Sequence, residues 1–245
     1  SYGIGHSEAQ WFVRGVPNVK KAFAKVWETD DLLTSFDGVS LWRPWNIDPS
    51  WKTQSGQAWF HIDQHPISKP GKQCIQGLIN LLPTSEEIGG NVVIPKSHNF
   101  FKDLPEEYKE RVERLPLDID HFRFPHDDPK LSSEPAVMAH MEPGDMLLWD
   151  SRTIHCSSSG SSLPEGTNDL IRAASLICMM PKELSSKEII EKRIHAAENL
   201  VSTTNWTNDF RNADEFPIIL EAENRDQYKW PKKPNLSEYQ KDLIA

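Results

Sequence analysis

The sequence has few cysteines and lacks long apolar runs. Its three cysteines, Cys74, Cys156 and Cys178, are an odd number without paired spacing. This argues against a disulfide-stapled secreted scaffold and favours a reducing compartment, so we expect a cytoplasmic location. No run of 18 apolar residues and no apolar signal segment occurs, so we expect no membrane association.

The sequence also lacks an excess of basic residues. It contains 27 Lys and Arg against 36 Asp and Glu, which gives a formal net charge of −9. A protein that binds the phosphate backbone needs the opposite balance, so we expect no nucleic-acid partner. Nine Trp and ten Phe supply bulky side chains for a hydrophobic core. The composition fits a globular protein with a small-molecule partner and leaves the oligomeric state open.

Short strand patterns dominate the middle of the chain, and helical patterns occupy both ends. We expect one domain, 1–245, with a helical flank over 1–34, a mainly β core over 35–182 and a helical extension over 183–245. A charged, proline-spaced stretch over 102–135 is predicted to be an irregular insertion. This order favours a β-sandwich or jelly roll with flanking helices over a parallel α/β sheet.

Two helix starts are predicted from capping residues. Asn18 precedes the amphipathic segment "VKKAFAKVWE", where it is suited to cap a helix. Ser185 and Glu188 have the spacing of a capping box before "IIEKRIHAAENL".

A His-x-Asp pair occurs twice, as His61/Asp63 and as His126/Asp128. The first pair lies in "QAWFHID", a predicted strand, where residues two apart share one face. The second lies in "FPHDDPK", between prolines in the irregular insertion, where a loop does not fix two side chains. The context therefore favours His61 and Asp63 as a metal-binding pair.

A third ligand must come from another segment. Non-haem Fe(II) oxygenases use two His and one carboxylate and leave positions open for other ligands. His155 ends the predicted strand "GDMLLWDSRTIH" and is the favoured partner. Each histidine has a surface or hydrogen-bonded structural role as its alternative, which we prefer for His65 and His126. The other candidates for the third ligand are His98, His140, His6, His121 and His195.

Arg172 stands in "LIRAASLICMM", an otherwise apolar predicted strand. A buried charge there is costly without a partner. A carboxylate-bearing cosubstrate would supply that partner, because the guanidinium binds a carboxylate through two hydrogen bonds. The alternative is an internal salt bridge, in which case Arg152 is the next candidate for the anion anchor.

Four segments together resemble the phytanoyl-CoA dioxygenase superfamily. They are "WFHIDQHP", "QCIQGLINLLPTSEEIGGNVVIPKSHNFF", "PGDMLLWDSRTIHCS" and "IRAASLICMMP", in the family's order, and the resemblance covers roughly 35–182. It implies a double-stranded β-helix core, a cupin-like jelly roll. It also implies Fe(II) bound by His61, Asp63 and His155, with 2-oxoglutarate held by Arg172 and O₂ as the oxidant.

The resemblance implies an Fe(II)/2-oxoglutarate-dependent dioxygenase that makes succinate and CO₂ while oxidising an unactivated C–H bond. Halogenating relatives lack the carboxylate ligand, so the presence of Asp63 favours hydroxylation or desaturation. We expect a small organic or natural-product substrate, with pocket-mouth candidates Asp37, Arg43, Trp45 and Trp59. The alternatives are a catalytically inactive jelly roll that binds a small ligand and a partner-binding protein that uses the charged insertion.

Overall fold

A computed structural model describes residues 3–52, 59–117, 119–211 and 232–245. The helices and strands of these parts are, in order, α1 (Glu8–Arg14), α2 (Pro17–Trp27), β1 (Leu32–Thr34), β2 (Val39–Trp42), β3 (His61–Ile62), β4 (Ile75–Asn80), β5 (Asn91–Val93), α3 (Leu104–Glu107), α4 (Lys109–Glu113), β6 (Phe122–Arg123), β7 (Val137–Met138), β8 (Met146–Asp150), β9 (His155–Ser157), β10 (Arg172–Pro181), α5 (Lys187–Asn199) and α6 (Glu238–Lys241). No helix of the described residues is both long and apolar enough to cross a membrane.

The strands form two antiparallel five-stranded sheets, as the sequence predicts for a jelly roll with flanking helices. The first sheet has the order β1-β10-β4-β8, and β2 also pairs with β10. The second has the order β6-β3-β9-β5-β7. The chain is divided into two compact units, Ser1–Ser40 with Gln76–Ile79 and Ala174–Ala245, and Leu41–Ile75 with Asn80–Ala173. The predicted organisation as one domain with flanks and an insertion remains a prediction.

Helices α1, α2 and α5 belong to the first unit. Trp11 and Phe36 are buried with Ala196 of α5 in one hydrophobic cluster. Helix α2 begins with Pro17 at its first turn and has no side-chain cap. The predicted Asn18 cap is therefore wrong, because proline already provides helical φ and lacks the N–H that a cap would satisfy.

Helix α5 begins one residue later than its predicted capping box. Ser186, not Ser185, is the N-cap, and its hydroxyl accepts the N–H of Ile189. The sequence offers two adjacent serines, both with extended backbone, and the helical turn begins only after the second of them, at Lys187. The predicted pairing of Ser185 with Glu188 is replaced by this single cap.

The second sheet belongs to the second unit and separates two sets of side chains. Ile62, Ile94, Phe122 and Ile154, which are even-numbered residues in or next to its strands, lie in one buried cluster. Phe101, Leu104 and Val112 belong to the same cluster. Because side chains alternate along a strand, the odd-numbered residues between them face the other way. One face of this sheet thus packs against the apolar cluster, and the metal-binding candidates lie on the other, odd-numbered face.

The described residues of the predicted insertion contain two short helices and a strand. Its predicted helix is divided into α3 and α4, and residues Phe122–Arg123 form β6, which pairs with β3. A two-residue strand has little local sequence signal, since it is defined mainly by pairing with a neighbour. The long strand predicted to end at His155 is likewise divided into β8 and β9 by a turn.

Candidate metal centre and buried arginine

Two histidines lie opposite one another on adjacent strands. His61 of β3 is the register partner of His155 of β9. Directly opposite residues in an antiparallel pair have neighbouring side chains on one face. The two imidazole centroids are accordingly 4.4 Å apart, and each residue is only 5% exposed. The sheet register therefore brings together His61 and His155, which lie far apart in the sequence.

Asp63 follows β3 and points its carboxylate at both histidines. Its Oδ1 lies 3.2 Å from Nε2 of His61, and its Oδ2 lies 3.2 Å from Nε2 of His155. Its backbone N–H donates to the carbonyl of Ser151 at 2.9 Å, which fixes the chain at this point. One ligand atom from each of the three residues lies within 4.8 Å of the others. Two imidazole nitrogens and a carboxylate are the donor set of a non-haem Fe(II) site.

Both histidines are oriented by the same kind of hydrogen bond. Nδ1 of His61 lies 3.0 Å from the carbonyl of Trp59, and Nδ1 of His155 lies 2.8 Å from the carbonyl of Thr153. A carbonyl only accepts, so these bonds place the proton of each ring on Nδ1. In the neutral imidazole the lone pair then lies on Nε2, which in both rings faces the carboxylate of Asp63 and is the atom that a metal would bind.

The electrostatics of the cluster favour an ionised carboxylate. Burial would raise the pKa of Asp63, but the two imidazoles outweigh it and hold that pKa well below its ordinary value. Burial lowers the pKa of His61, but the charge and hydrogen bond of Asp63, together with the hydrogen bond to the Trp59 carbonyl, raise it, so that the pKa lies above its ordinary value. The side chain of Asp63 is 25% exposed, so the cluster is reached from solvent on the carboxylate side.

Aromatic and basic residues surround the three candidate ligands. The indole of Trp59 is parallel to the imidazole of His61, with centroids 4.0 Å apart. Arg123 of β6 is the register partner of His61, and its guanidinium lies 4.9 Å from the centre of the Trp59 ring. Burial lowers the pKa of His121, which interacts electrostatically with Asp63. Sequence reasoning missed Arg123 because β6 could not be recognised within the insertion.

Arg172 opens β10 and is 2% exposed. Its Nε and Nη1 are buried without a hydrogen-bond partner among the described residues. The guanidinium carbon lies 5.0 Å from the centre of the Trp42 ring, and burial lowers its pKa to about 10. Within the described residues, no carboxylate forms the internal salt bridge that was the alternative. Arg152, the fallback anchor, already forms a two-pronged pair with Asp150.

The remaining candidate histidines are not part of this cluster. Nδ1 of the fully buried His65 accepts the N–H groups of Ile67 and Ser68, which is the structural role that the sequence predicts. His126 is exposed in its loop. The described metal-ligand group does not include the others, which are His6, His98, His121, His140 and His195.

Of the four pocket-mouth candidates, Trp59 lies against a candidate ligand. The other three make local contacts in the described structure. The guanidinium of Arg43 lies 4.1 Å from the centre of the Trp51 ring, and the ammonium of Lys52 lies 3.7 Å from that of Trp45. The carboxylate of Asp37 accepts the N–H of its neighbour Gly38. A role for these three in substrate binding remains a prediction.

Comparisons with known proteins agree with the resemblance of the sequence motifs. The protein called Ava biosynthesis cluster protein O from Aspergillus versicolor is 34% identical over 211 residues, which cover 83% of this chain and 64% of that protein. A putative phytanoyl-CoA dioxygenase from Dictyostelium discoideum is 22% identical over 225 residues, covering 79% of this chain and 60% of that protein. The chain thus spans less than two thirds of the length of these relatives.

The crystal structure of the epimerase SnoN, in complex with Fe³⁺, α-ketoglutarate and nogalamycin RO, is 15% identical, with a TM-score of 0.41, and the alignment covers 67% of this chain and 56% of that one. The sequence profile of the phytanoyl-CoA dioxygenase family, PhyH, matches residues 39–163, which is just over half of the 245-residue chain. The matched range contains His61, Asp63 and His155. The chain therefore belongs to the phytanoyl-CoA dioxygenase family.

Proposed function

We propose that this chain is an Fe(II)/2-oxoglutarate-dependent oxygenase that oxidises a C–H bond of a small organic substrate. The observation that carries the proposal is the convergence of His61, Asp63 and His155, whose ligand atoms lie within 4.8 Å of one another. Membership of the family supports the same chemistry. The donor set fits Fe(II) because two nitrogens and one carboxylate oxygen leave coordination positions open for other ligands.

His61, Asp63 and His155 would hold the metal. Bound there with 2-oxoglutarate and O₂, Fe(II) would supply oxidative decarboxylation to succinate and CO₂, coupled to oxidation of the substrate. The Nδ1 bonds of the two histidines keep their Nε2 atoms free to bind it. Arg172 would bind the distal carboxylate of 2-oxoglutarate, since its buried donors lack partners in the described residues.

The substrate class is proposed to be a small natural product. The name of the Aspergillus versicolor relative places that protein in a biosynthesis cluster, which supports such a substrate here. The presence of Asp63 supports hydroxylation or desaturation rather than halogenation. Cys74, Cys156 and Cys178 are all buried, and none of them forms a disulfide within the described residues, which supports a reducing compartment such as the cytoplasm.

The test is release of succinate from 2-oxoglutarate by the purified chain supplied with Fe(II) and O₂. Metabolite extracts are then screened by mass spectrometry for products that gain one oxygen or lose two hydrogens. We expect iron-dependent succinate and at least one such product, both lost in His61→Ala and His155→Ala. A chain that binds Fe(II) and 2-oxoglutarate but forms neither succinate nor product would instead fit the catalytically inactive binding protein.

A further inference from the structure

The two candidate histidine ligands have different surroundings although their Nδ1 bonds are alike. The imidazole of His61 lies parallel to the Trp59 indole, with an interplanar angle of 4° and a centroid distance of 4.0 Å. The imidazole of His155 has the Trp149 indole beside it, with a centroid distance of 5.5 Å and an interplanar angle of 57°. Of these two indole–imidazole pairs, Trp59–His61 is parallel and Trp149–His155 is not.

Trp59 restrains His61 through two separate groups. Its backbone carbonyl accepts a hydrogen bond from Nδ1, 3.0 Å away, which limits rotation of the imidazole about its bond to Cβ. Its indole lies flat against the ring, which limits tilting. A ligand whose ring is restrained in both ways loses less conformational freedom when it binds a metal, so the site is preorganised.

Arg123 extends this arrangement from the neighbouring strand. The β3–β6 register places it directly opposite His61, and its guanidinium lies 4.9 Å from the centre of the Trp59 ring. A guanidinium near the face of an indole is attracted to the ring electrons. Arg123 is exposed, so this attraction restrains Trp59 without requiring a buried charge. The contacts run in sequence from Arg123 to Trp59 to His61.

We propose that Trp59 and Arg123 are positioning residues that orient the imidazole of His61 and thereby increase the metal affinity of the site. Trp59 acts directly on the ligand, and Arg123 acts through Trp59. The inference rests on the proposed function only in taking His61 as a metal ligand. It predicts an effect on metal binding that is measurable without any knowledge of the organic substrate.

The full chain is titrated with Co(II) in the absence of 2-oxoglutarate. Binding is measured by calorimetry and by the visible d–d absorption of the bound ion. We expect Trp59→Ala to weaken Co(II) binding by about 10-fold or more, the range for residues that orient a metal ligand. Trp59→Phe should recover affinity to within about threefold, because a phenyl ring still stacks on imidazole. Arg123→Gln should weaken binding by about two- to fivefold, as expected for an exposed cation–π contact.

A matched pair elsewhere in the same unit controls for general loss of aromatic packing. The guanidinium of Arg43 lies 4.1 Å from the Trp51 ring, the same kind of contact without a candidate ligand beside it. Trp51→Ala, which removes the ring of this pair, should leave the Co(II) affinity and spectrum unchanged. The melting temperature of each metal-free variant is measured to detect loss of folding. Because Arg123 is exposed, we expect Arg123→Gln to fold normally, so a change in its Co(II) affinity reports on the metal site.

The outcomes separate this inference from the proposed function. Wild-type Co(II) affinity and spectrum in both Trp59→Ala and Arg123→Gln, with binding lost in His61→Ala, would overturn the positioning role and leave the metal site intact. Equal weakening by Trp51→Ala would also overturn it. Undiminished binding in His61→Ala would instead contradict the assignment of His61 as a ligand, and with it the proposed function.

Discussion

Replacing Arg172 with lysine or leucine distinguishes an anion anchor from a structural arginine. Its side chain is 2% exposed, and two of its nitrogens lack hydrogen-bond partners among the described residues. If Arg172 served an internal ion pair, Arg172→Leu would leave a buried carboxylate unpaired and lower stability by about 3–5 kcal/mol. Because the guanidinium is buried with two nitrogens that lack hydrogen-bond partners among the described residues, we expect Arg172→Leu without ligand to be at least as stable as the wild type.

The two substitutions should weaken 2-oxoglutarate binding to different extents. Arg172→Lys keeps the positive charge but loses the planar pair of donors that fits a carboxylate. Loss of a hydrogen bond to a charged group costs roughly 1.5–3 kcal/mol, which raises the dissociation constant by about 10- to 150-fold. Arg172→Leu removes both charge and donors, so its dissociation constant should rise further.

Thermal unfolding with Mn(II) and increasing 2-oxoglutarate measures stability and binding together. A ligand at 100 times its dissociation constant stabilises the folded state by about 2.7 kcal/mol, so the wild-type melting temperature should rise while that of Arg172→Leu should not. Arg152→Gln is the matched control, because Arg152 is already paired with Asp150 and should not contribute to 2-oxoglutarate binding. Normal 2-oxoglutarate affinity in Arg172→Leu, with a strongly reduced melting temperature, would refute the anchor role.

The candidate ligand His61, the buried amide of Gln64 and the serine cap of α5 can each be tested by one substitution. His61→Ala should abolish Fe(II) binding measured by calorimetry, whereas His126→Ala should retain it; the reverse would show that the wrong His-x-Asp pair was chosen. Gln64→Leu should lower the free energy of unfolding in urea by about 3 kcal/mol, because the buried amide makes three hydrogen bonds, and a change below 1 kcal/mol would contradict this. Ser186→Ala should cost about 1 kcal/mol in the same assay and Ser185→Ala less, since only Ser186 caps α5; equal costs would contradict the assigned cap.

The candidate metal residues could be predicted because they depend on the simplest property of a strand. Side chains two residues apart share a face, so His61 and Asp63 were expected to act together once "WFHID" was interpreted as extended. The structure brings their ligand atoms together with that of His155. The apolar surroundings of Arg172 likewise indicated a buried charge in need of a partner, and the structure has it buried with unpaired donors.

The features that the sequence did not predict depend on distant partners. Strand β6 has two residues, and it is a strand only because it pairs with β3. The division between β8 and β9 depends on a turn in which the N–H of Thr153 donates to the carbonyl of Asp150 at 2.8 Å, which the apolar pattern alone does not indicate. The contacts of Arg123 with Trp59 could not be anticipated for the same reason, since they follow from the β6 register.

The residues behind the candidate metal-binding face explain how so short a strand can hold the candidate ligands in register. Strand β3 has only two residues, so its own backbone hydrogen bonds restrain it weakly. Ile62, next to His61, is fully buried in a cluster with Phe122 of β6 and with Leu104 and Val112 from the segment that was expected to be an irregular insertion. A slip of one residue would turn Ile62 towards the histidine face and place a polar imidazole in this apolar cluster. Burying the aliphatic side chain of Ile62 contributes about 1.5–3 kcal/mol, which is comparable to several backbone hydrogen bonds. Leu104, Val112 and Phe122 therefore fix the direction of His61 from the opposite side of the sheet.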